Sequence, residues 1–332
     1  MSGKTERASG GEIVVRRMDP SDGQQVLALL RVALGWRRED PNDAFFDWKH
    51  RENPFGESPC WVASVGPEIV GFRTLMRWEF DTPDGPVRAV RAVDTATHPN
   101  YQGRGIFSAL TRQAVEELTA EGVDFVFNTP NDKSRPGYLK MGWKDVGRLP
   151  TGLRPASLFA LPRIAAARVP AELWSETTKA GFAVSEALGD DNGIAGLLAA
   201  LPKSSGVTTR RTPAYLRWRY GFEPLAYRVV FAGTSIADGM LLFRLRRRGR
   251  ATELVVGDLL LSEPTPAAAR RLVRSALRAT SAAYALGLRT MTSSGLLPLP
   301  GQGPILTWRS LGSETMPPLA DWRLSLGDIE LF

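Results

Sequence analysis

The residues best suited to chemistry in this chain are Gln102-Gly103-Arg104-Gly105, inside the longer run Tyr101-Gln102-Gly103-Arg104-Gly105-Ile106-Phe107. The apolar stretch from Val87 to Thr97 reads as a strand, His98-Pro99-Asn100 stops it, and Ile106 to Leu118 has apolar residues at helical spacing. A glycine-bearing turn between strand and helix gathers bare backbone N–H groups at the positive end of the helix. That is chemistry for an anion such as a phosphate or pyrophosphate. A tight connection that binds nothing would use the same residues, so the turn alone does not decide.

The next stretch of chain narrows the choice. Asp124 to Asn128 reads as another strand, followed by Asn131-Asp132-Lys133-Ser134 and by Tyr138-Leu139-Lys140-Met141-Gly142-Trp143. In this order of strand, Gln-x-x-Gly loop, helix, strand, Asn and Tyr-x-x-x-Gly-aromatic, the chain resembles the GNAT superfamily of acyl-CoA-dependent N-acyltransferases. Gln102 and Gly105 fit the family loop, whereas Phe107 stands where a small residue faces the pyrophosphate. The resemblance implies acetyl-CoA as cofactor. It places Thr95, Ala96 and Thr97 along the pantetheine, with a backbone N–H there stabilising an oxyanion. It places Gln102, Gly103, Arg104, Gly105, Ile106 and Phe107 at the pyrophosphate, and Asn131 and Ser134 at the pantetheine arm. Tyr138 falls where the family has the acid that protonates the CoA thiolate. For the base the first choice is Asp94, ahead of Glu79, Asp81, His98 and bulk water.

The elements that must position these residues can be read beside them. Ile13 to Arg17 reads as a first strand and Gln24 to Leu34 as an amphipathic helix with Ser21 or Asp22 as N-cap. Cys60 to Val65 and Ile69 to Phe80 read as strands joined by a hairpin at Gly66-Pro67. The segment Phe45 to Gly56, where the family keeps its acceptor wall, offers Trp48, Arg51 and Asn53 as substrate contacts. Phe45, Phe46 and Trp48 read equally well as core.

The second half repeats the first. Phe46-Asp47-Trp48-Lys49-His50 returns as Leu216-Arg217-Trp218-Arg219-Tyr220, Gly71 as Gly239, Asp94 as Asp258, and Trp143 with Gly147 as Trp308 with Gly312. Such partners lie 164 to 170 residues apart, a tandem duplication. Opposite the glycine loop the second copy has roughly Ala267-Ala268-Ala269-Arg270, and opposite Tyr138 it has Gly303. Side chains there would hold a pyrophosphate off the backbone. Asp258 survives in that stripped copy, which points to a structural role for the matching Asp94.

The expected fold class is α/β, with two tandem GNAT-like domains, each a mixed, mostly antiparallel twisted sheet flanked by helices. The expected division is a tail at 1–11, a catalytic domain at 12–149, a linker at 150–180 and a degenerate domain at 181–332. In the linker, Leu158 to Ala167 and Ala171 to Lys179 read as short helices. The Ala92 to Pro99 run also resembles the Eis-type branch, whose terminal carboxylate can serve as base. That makes Phe332 a candidate, although no sterol-carrier-like domain comes after Trp322.

Composition sets the remaining bounds. The chain has 332 residues, a net charge of +7, one cysteine and two histidines. Cys60 reads as a core residue, and a metal site is not expected. Met1 to Gly11 does not read as a signal peptide, and no apolar run approaches the ~20 residues of a membrane helix. The run Arg244 to Arg250 reads as a solvated hairpin tip. The expectation is a cytoplasmic N-acetyltransferase acting on a small-molecule amine such as an amino sugar, monomeric or homodimeric, with neither nucleic acid nor membrane as partner. Alternatives are a protein-lysine acetyltransferase, a non-catalytic acyl-CoA-binding regulatory protein, and aminoacyl transfer from tRNA.

Overall fold

The computed structural model describes residues 11–289 and 296–330, so Phe332 lies outside the described residues. The elements run β1 (Val14–Arg17), α1 (Gly23–Leu34), α2 (Asn42–His50), β2 (Cys60–Val65), β3 (Glu68–Thr82), β4 (Gly85–Thr97), α3 (Ile106–Ala120), β5 (Phe125–Asn128), α4 (Arg135–Lys140) and β6 (Lys144–Arg148). They continue with β7 (Thr151–Pro155), α5 (Leu161–Ala166), β8 (Phe182–Ala183), α6 (Val184–Ala187), α7 (Asp191–Ala200), β9 (Thr208–Thr209), α8 (Pro213–Gly221), β10 (Arg228–Phe231) and β11 (Met240–Arg248). Last come β12 (Ala251–Leu260), α9 (Pro266–Ala279), β13 (Tyr284–Leu288), β14 (Leu297–Pro298), β15 (Ile305–Ser310) and α10 (Leu326–Ile329).

Two compact units result, and their boundaries interleave. The first holds residues 1–79, 88–145 and 307–316; the second holds 80–87, 146–306 and 317–332. The first sheet has the order β1-β2-β3-β4-β5-β15-β6 and the second β14-β7-β13-β12-β11-β10-β8. Each sheet takes its leading strands from its own half and one strand beside the parallel pair from the other, and the first also gains β9, which pairs with β3. In the first, β15 lies antiparallel to β5, with Trp308 opposite Phe127. In the second, β7 lies antiparallel to β13, with Leu153 opposite Leu286. A linear cut at 149 and 181 therefore misses the exchange, because pairing partners and not chain order decide which core a strand completes.

Local chemistry explains the elements of the first unit. Val26, Leu29 and Leu30 put the buried stripe of α1 on one face, and Gly35 ends the helix at φ 72° in the left-handed region. Asp22 stands at its N-cap without capping it, since its carboxylate takes two hydrogen bonds from Arg16 at 2.6 and 2.9 Å. Both faces of the sheet are covered. Leu75, Val90, Ile106, Leu110, Val126 and Tyr138 pack on one side, and Val26, Leu30, Phe46, Val62 and Phe72 on the other. Gly71 lets α3 approach β3 closely, because a side chain there would strike Ile106.

In the second unit, residues 171–179 are not the expected helix. They run extended, with Glu172 N–H donating to Arg247 C=O and Glu176 N–H to Leu245 C=O. The backbone edge of β11 offered acceptors that a helix could not use. The Arg244 to Arg250 run is solvated only toward its tip, at Arg247, Gly249 and Arg250, whereas Arg244 is fully buried, Arg246 pairs with Glu253 and Glu330, and Arg248 pairs with Glu253. Charge does gather on α9, where Arg270, Arg271, Arg274 and Arg278 line an exposed cleft of about 540 Å³ with Ala267 and Ser275. Burial, then the charges of Arg274 and Arg270, lower the pKa of the nearby Arg154. Among the described residues no helix is long and apolar enough to cross a membrane.

Candidate active site

The first unit opens a seam between its two parallel strands. β4 pairs with β5 only from Ala89 to Arg91, opposite Phe125 to Phe127, although β4 runs on to Thr97. Beyond Arg91 the β5-facing edge of β4, including Thr95, Ala96 and Thr97, has no strand partner among the described residues. Such an edge can pair with an extended ligand as a further strand would. The bend that opens it sits at Asp94, whose φ of 38° is uncommon for a residue with a Cβ.

The seam leads to the glycine loop. Gly103 and Gly105 both have φ 76°, and a Cβ added at either would meet no atom within 4 Å. The positive φ is what demands glycine here, and the open space leaves the backbone approachable. Gly105 is the N-cap of α3 and supplies no side-chain cap, so the first N–H groups of the helix keep their donor capacity. Arg104 reaches Gly11 C=O at 2.9 Å and covers the Tyr101 ring at 5.3 Å. Phe107 does not face the loop. Its ring packs edge-on to Tyr138 at 5.3 Å and fills the space beside Gly137. One residue past Ile106, the helical turn carries its side chain toward α4.

Tyr138 is buried on α4, held between Phe107 and Trp143, and Gly142 closes the motif at φ 94°. Its hydroxyl accepts a hydrogen bond from Arg73 Nη1 at 2.7 Å, and the same nitrogen donates to Thr95 Oγ1. Arg73 was missed in the sequence, where it sits in the apolar strand pattern of β3. It is fully buried, and its charge lies over the Phe107 and Tyr138 rings at 5.7 and 5.3 Å. Its Nε and Nη2 find no acceptor among the described residues. A charge inside a strand buried on both faces is the signal that could have found it.

Asp94 is held by two α2 side chains that sequence reasoning also left unassigned. Lys49 Nζ and His50 Nε2 both lie 2.8 Å from Asp94 Oδ2, and His50 Nδ1 faces Ser58 Oγ at 3.1 Å. Burial opposes ionisation of Asp94, but the Lys49 charge and the His50 hydrogen bond outweigh it and hold the carboxyl at about 2. Burial, against the pull of Asp94, lowers the His50 pKa. A carboxylate held so low favours fixing the bend over taking a proton from an ammonium group. It is well placed to fix the β4 bend, tying a strained residue to α2.

The other expected site residues have local duties. Asn131 Oδ1 accepts from the N–H groups of Lys133 and Ser134 and from Ser134 Oγ, building the turn into α4. Trp48 is buried and stacked on Phe45 at 5.6 Å, and Asn53 shapes a turn through Arg77 C=O and Phe55 N–H. Arg51 is exposed and pairs with Asp47 at 2.7 Å.

The second unit keeps the frame and loses the equipment. Thr265 caps α9 by accepting from Ala268 N–H at 3.1 Å, and Pro266 fills its first position, so that helix end is already satisfied. Asp258 repeats the Asp94 arrangement with Tyr220 Oη donating at 2.9 Å, and here Arg211 and Asp328 join it in a buried cluster.

A parallel seam that opens onto a glycine-lined helix end, with a buried tyrosine beside it, is the arrangement of an acyltransferase fold. Residues 14–146 match the family model for the acetyltransferase (GNAT) domain. No curated protein matches the chain in sequence. Among solved structures it is similar to a probable N-acyltransferase of Enterococcus faecalis, at 12% identity and TM-score 0.63 over 90% of this chain and 72% of that one. It is similar to a GCN5-related N-acetyltransferase of Kribbella flavida, at 16% identity and TM-score 0.61 over 90% and 71%. It is also similar to Eis1 of Mycobacterium abscessus, at 16% identity and TM-score 0.57 over 90% and 74%. The chain carries an N-acetyltransferase domain.

Proposed function

We propose that the first unit transfers an acetyl group from acetyl-CoA to the primary amine of a small molecule, in a ternary complex. The observation that carries this reading is the convergence, in one unit, of the β4 edge freed beyond Arg91, the uncapped start of α3 and the buried Tyr138 hydroxyl. The residues fit the cofactor: the open space above Gly103 and Gly105 admits a pyrophosphate to the backbone, and the second unit, with Thr265 in its cap, has no such cradle. When bound, acetyl-CoA supplies a thioester-activated acyl group.

The chain's own residues divide the remaining work. The N–H groups of Gly103, Arg104, Gly105 and Ile106 hold the diphosphate charge at the helix end. The backbone of Thr95 to Thr97 orients the pantetheine arm and directs an N–H toward the acyl oxygen. Tyr138 holds the proton destined for the leaving thiolate, and Arg73, donating to its oxygen, keeps the Tyr138 O–H directed away from the guanidinium. Asp94 maintains the bend, and the amine proton leaves to bulk water.

Calorimetric titration of CoA and acetyl-CoA into the wild type and Gly105→Glu tests the assignment. Micromolar binding that the variant loses is the expected result, because Glu brings both a Cβ at φ 76° and a negative charge to the cradle. Absence of binding to the wild type overturns it in favour of a protein that keeps the fold without the cofactor.

A further inference from the structure

Resting on that acyl-CoA reading, we propose that Arg73 binds a carboxylate carried by a substrate close to the thioester, either on the acyl chain or on the amine. The argument begins with the energetics of a buried charge. A guanidinium withdrawn from water is costly unless anions or several acceptors surround it. Arg73 is fully buried, on the same strand face as Leu75 and within the apolar cluster of Ile106, Leu110 and Tyr138. Its hydrogen-bond partners among the described residues are two hydroxyls sharing one nitrogen.

Arg73 is not alone in leaving a nitrogen over, since Arg219 Nη1 and Arg244 Nε have no hydrogen-bond partner among the described residues either, but other buried arginines do have carboxylate or carbonyl partners. Arg211 is clamped by Asp258 and Asp328, and Arg246 by Glu253 and Glu330. Arg219 reaches the carbonyls of Gly327 and Glu330. Arg73 has no carboxylate partner among the described residues, and its Nε and Nη2 are left over. Those two nitrogens form one edge of the guanidinium, the edge that takes a carboxylate through two parallel hydrogen bonds. The Phe107 and Tyr138 rings cover the group, so an incoming anion is steered to its edge.

Position supplies the rest. Tyr138 is the group expected at the sulfur, and Arg73 Nη1 is 2.7 Å from its oxygen. With one further hydrogen-bond length from that oxygen to sulfur, the guanidinium lies within about 6 Å of the thioester. A carboxylate two or three carbons from the thioester carbonyl spans that distance, as does the α-carboxylate of an amino acid whose amine attacks the carbonyl. Thr95, bonded to the same nitrogen, ties the arginine to the strand that would carry the donor.

The experiment has two arms. Acetyl-CoA, malonyl-CoA and succinyl-CoA are titrated calorimetrically into the wild type, Arg73→Met and Arg73→Lys. Separately, α-amino acids and their amides are titrated into the CoA-saturated proteins. The expected result is a preference of at least tenfold for the carboxylated member of one arm in the wild type, absent in Arg73→Met and partly kept in Arg73→Lys. The first arm assigns the carboxylate to the acyl chain, the second to the amine. Wild-type binding of CoA esters with no carboxylate preference in either arm overturns the inference and leaves the acyl-CoA reading standing. Failure of every CoA ester to bind overturns both. The wild-type comparison stands even if a variant does not fold.

Discussion

Replacing Asp94 with Asn separates a positioning role from a catalytic one. The folded protein holds this carboxyl at about 2 against an ordinary value of 3.8. At 1.36 kcal/mol per unit that difference is worth about 2 kcal/mol at neutral pH. Breaking a buried ion pair by removing one partner typically costs about 3–5 kcal/mol, so the expected loss lies between about 2 and 5 kcal/mol. Because the folded value is the lower one, the unfolded chain binds the proton first as pH falls. The stabilisation is therefore complete above about pH 4 and disappears as pH drops through about 2. Urea melts of wild type and Asp94→Asn at pH 7 and pH 3 should show the gap narrowing with acid. Asn tolerates positive φ well, so the bend at 38° survives in a folded variant. Its acetylation rate below its unfolding midpoint should then stay within about tenfold of wild type. A variant within 1 kcal/mol of wild type at pH 7 would refute the energetic reasoning, and a rate loss of about a thousandfold in folded protein would restore Asp94 as the base.

Three further outcomes are expected. Tyr138→Phe should lower turnover by about 10²–10⁴-fold while acetyl-CoA binding by calorimetry changes only a few-fold, since only the proton donor is removed. Burial lowers the His50 pKa below its ordinary 6.5, so the unfolded state gains a proton there first and stability declines as pH falls below about 6.5; His50→Gln should flatten that part of a stability-against-pH curve. On α9, Arg274 faces Arg270, Arg271 and Arg278 at like-charge helical spacings, each costing a few tenths of a kcal/mol. Arg274→Glu should raise the urea midpoint at low ionic strength, and salt should erase the gain.

Much of this molecule could be read before its structure. The strand–loop–helix around Gly103 and Gly105 was legible because positive φ and helical periodicity both leave marks in local sequence. The two copies were legible because Trp143 and Trp308, or Asp94 and Asp258, recur at a near-constant distance. Contacts across the sheet were not. Lys49, His50 and Arg73 earn their places from partners 45, 44 and 65 positions away in sequence, and no local pattern announces them. Trp48 could be read two ways because an aromatic residue in a charged segment looks the same whether it lines a pocket or stacks on Phe45. The exchange of β7 and β15 was invisible for a similar reason: a strand's alternation shows that it will pair, not with which sheet.

That exchange also governs when the first unit can be finished. Residues 14–146 emerge from the ribosome well before Thr307 to Met316, yet β5 acquires its outer neighbour only when β15 arrives, bringing Trp308 against Phe125 and Thr307 Oγ1 onto Asn128 Oδ1 at 2.6 Å. At about 5–20 residues per second the wait is roughly 8–30 s. During it the outer edge of β5 lacks the strand that covers it in the finished fold, in a nascent chain open to rescue by chaperones or to mispairing with a neighbour. The domain translated first is left waiting for a strand from near the end of the chain, and a ribosome that stalls after the catalytic loop has been made still releases an unfinished enzyme.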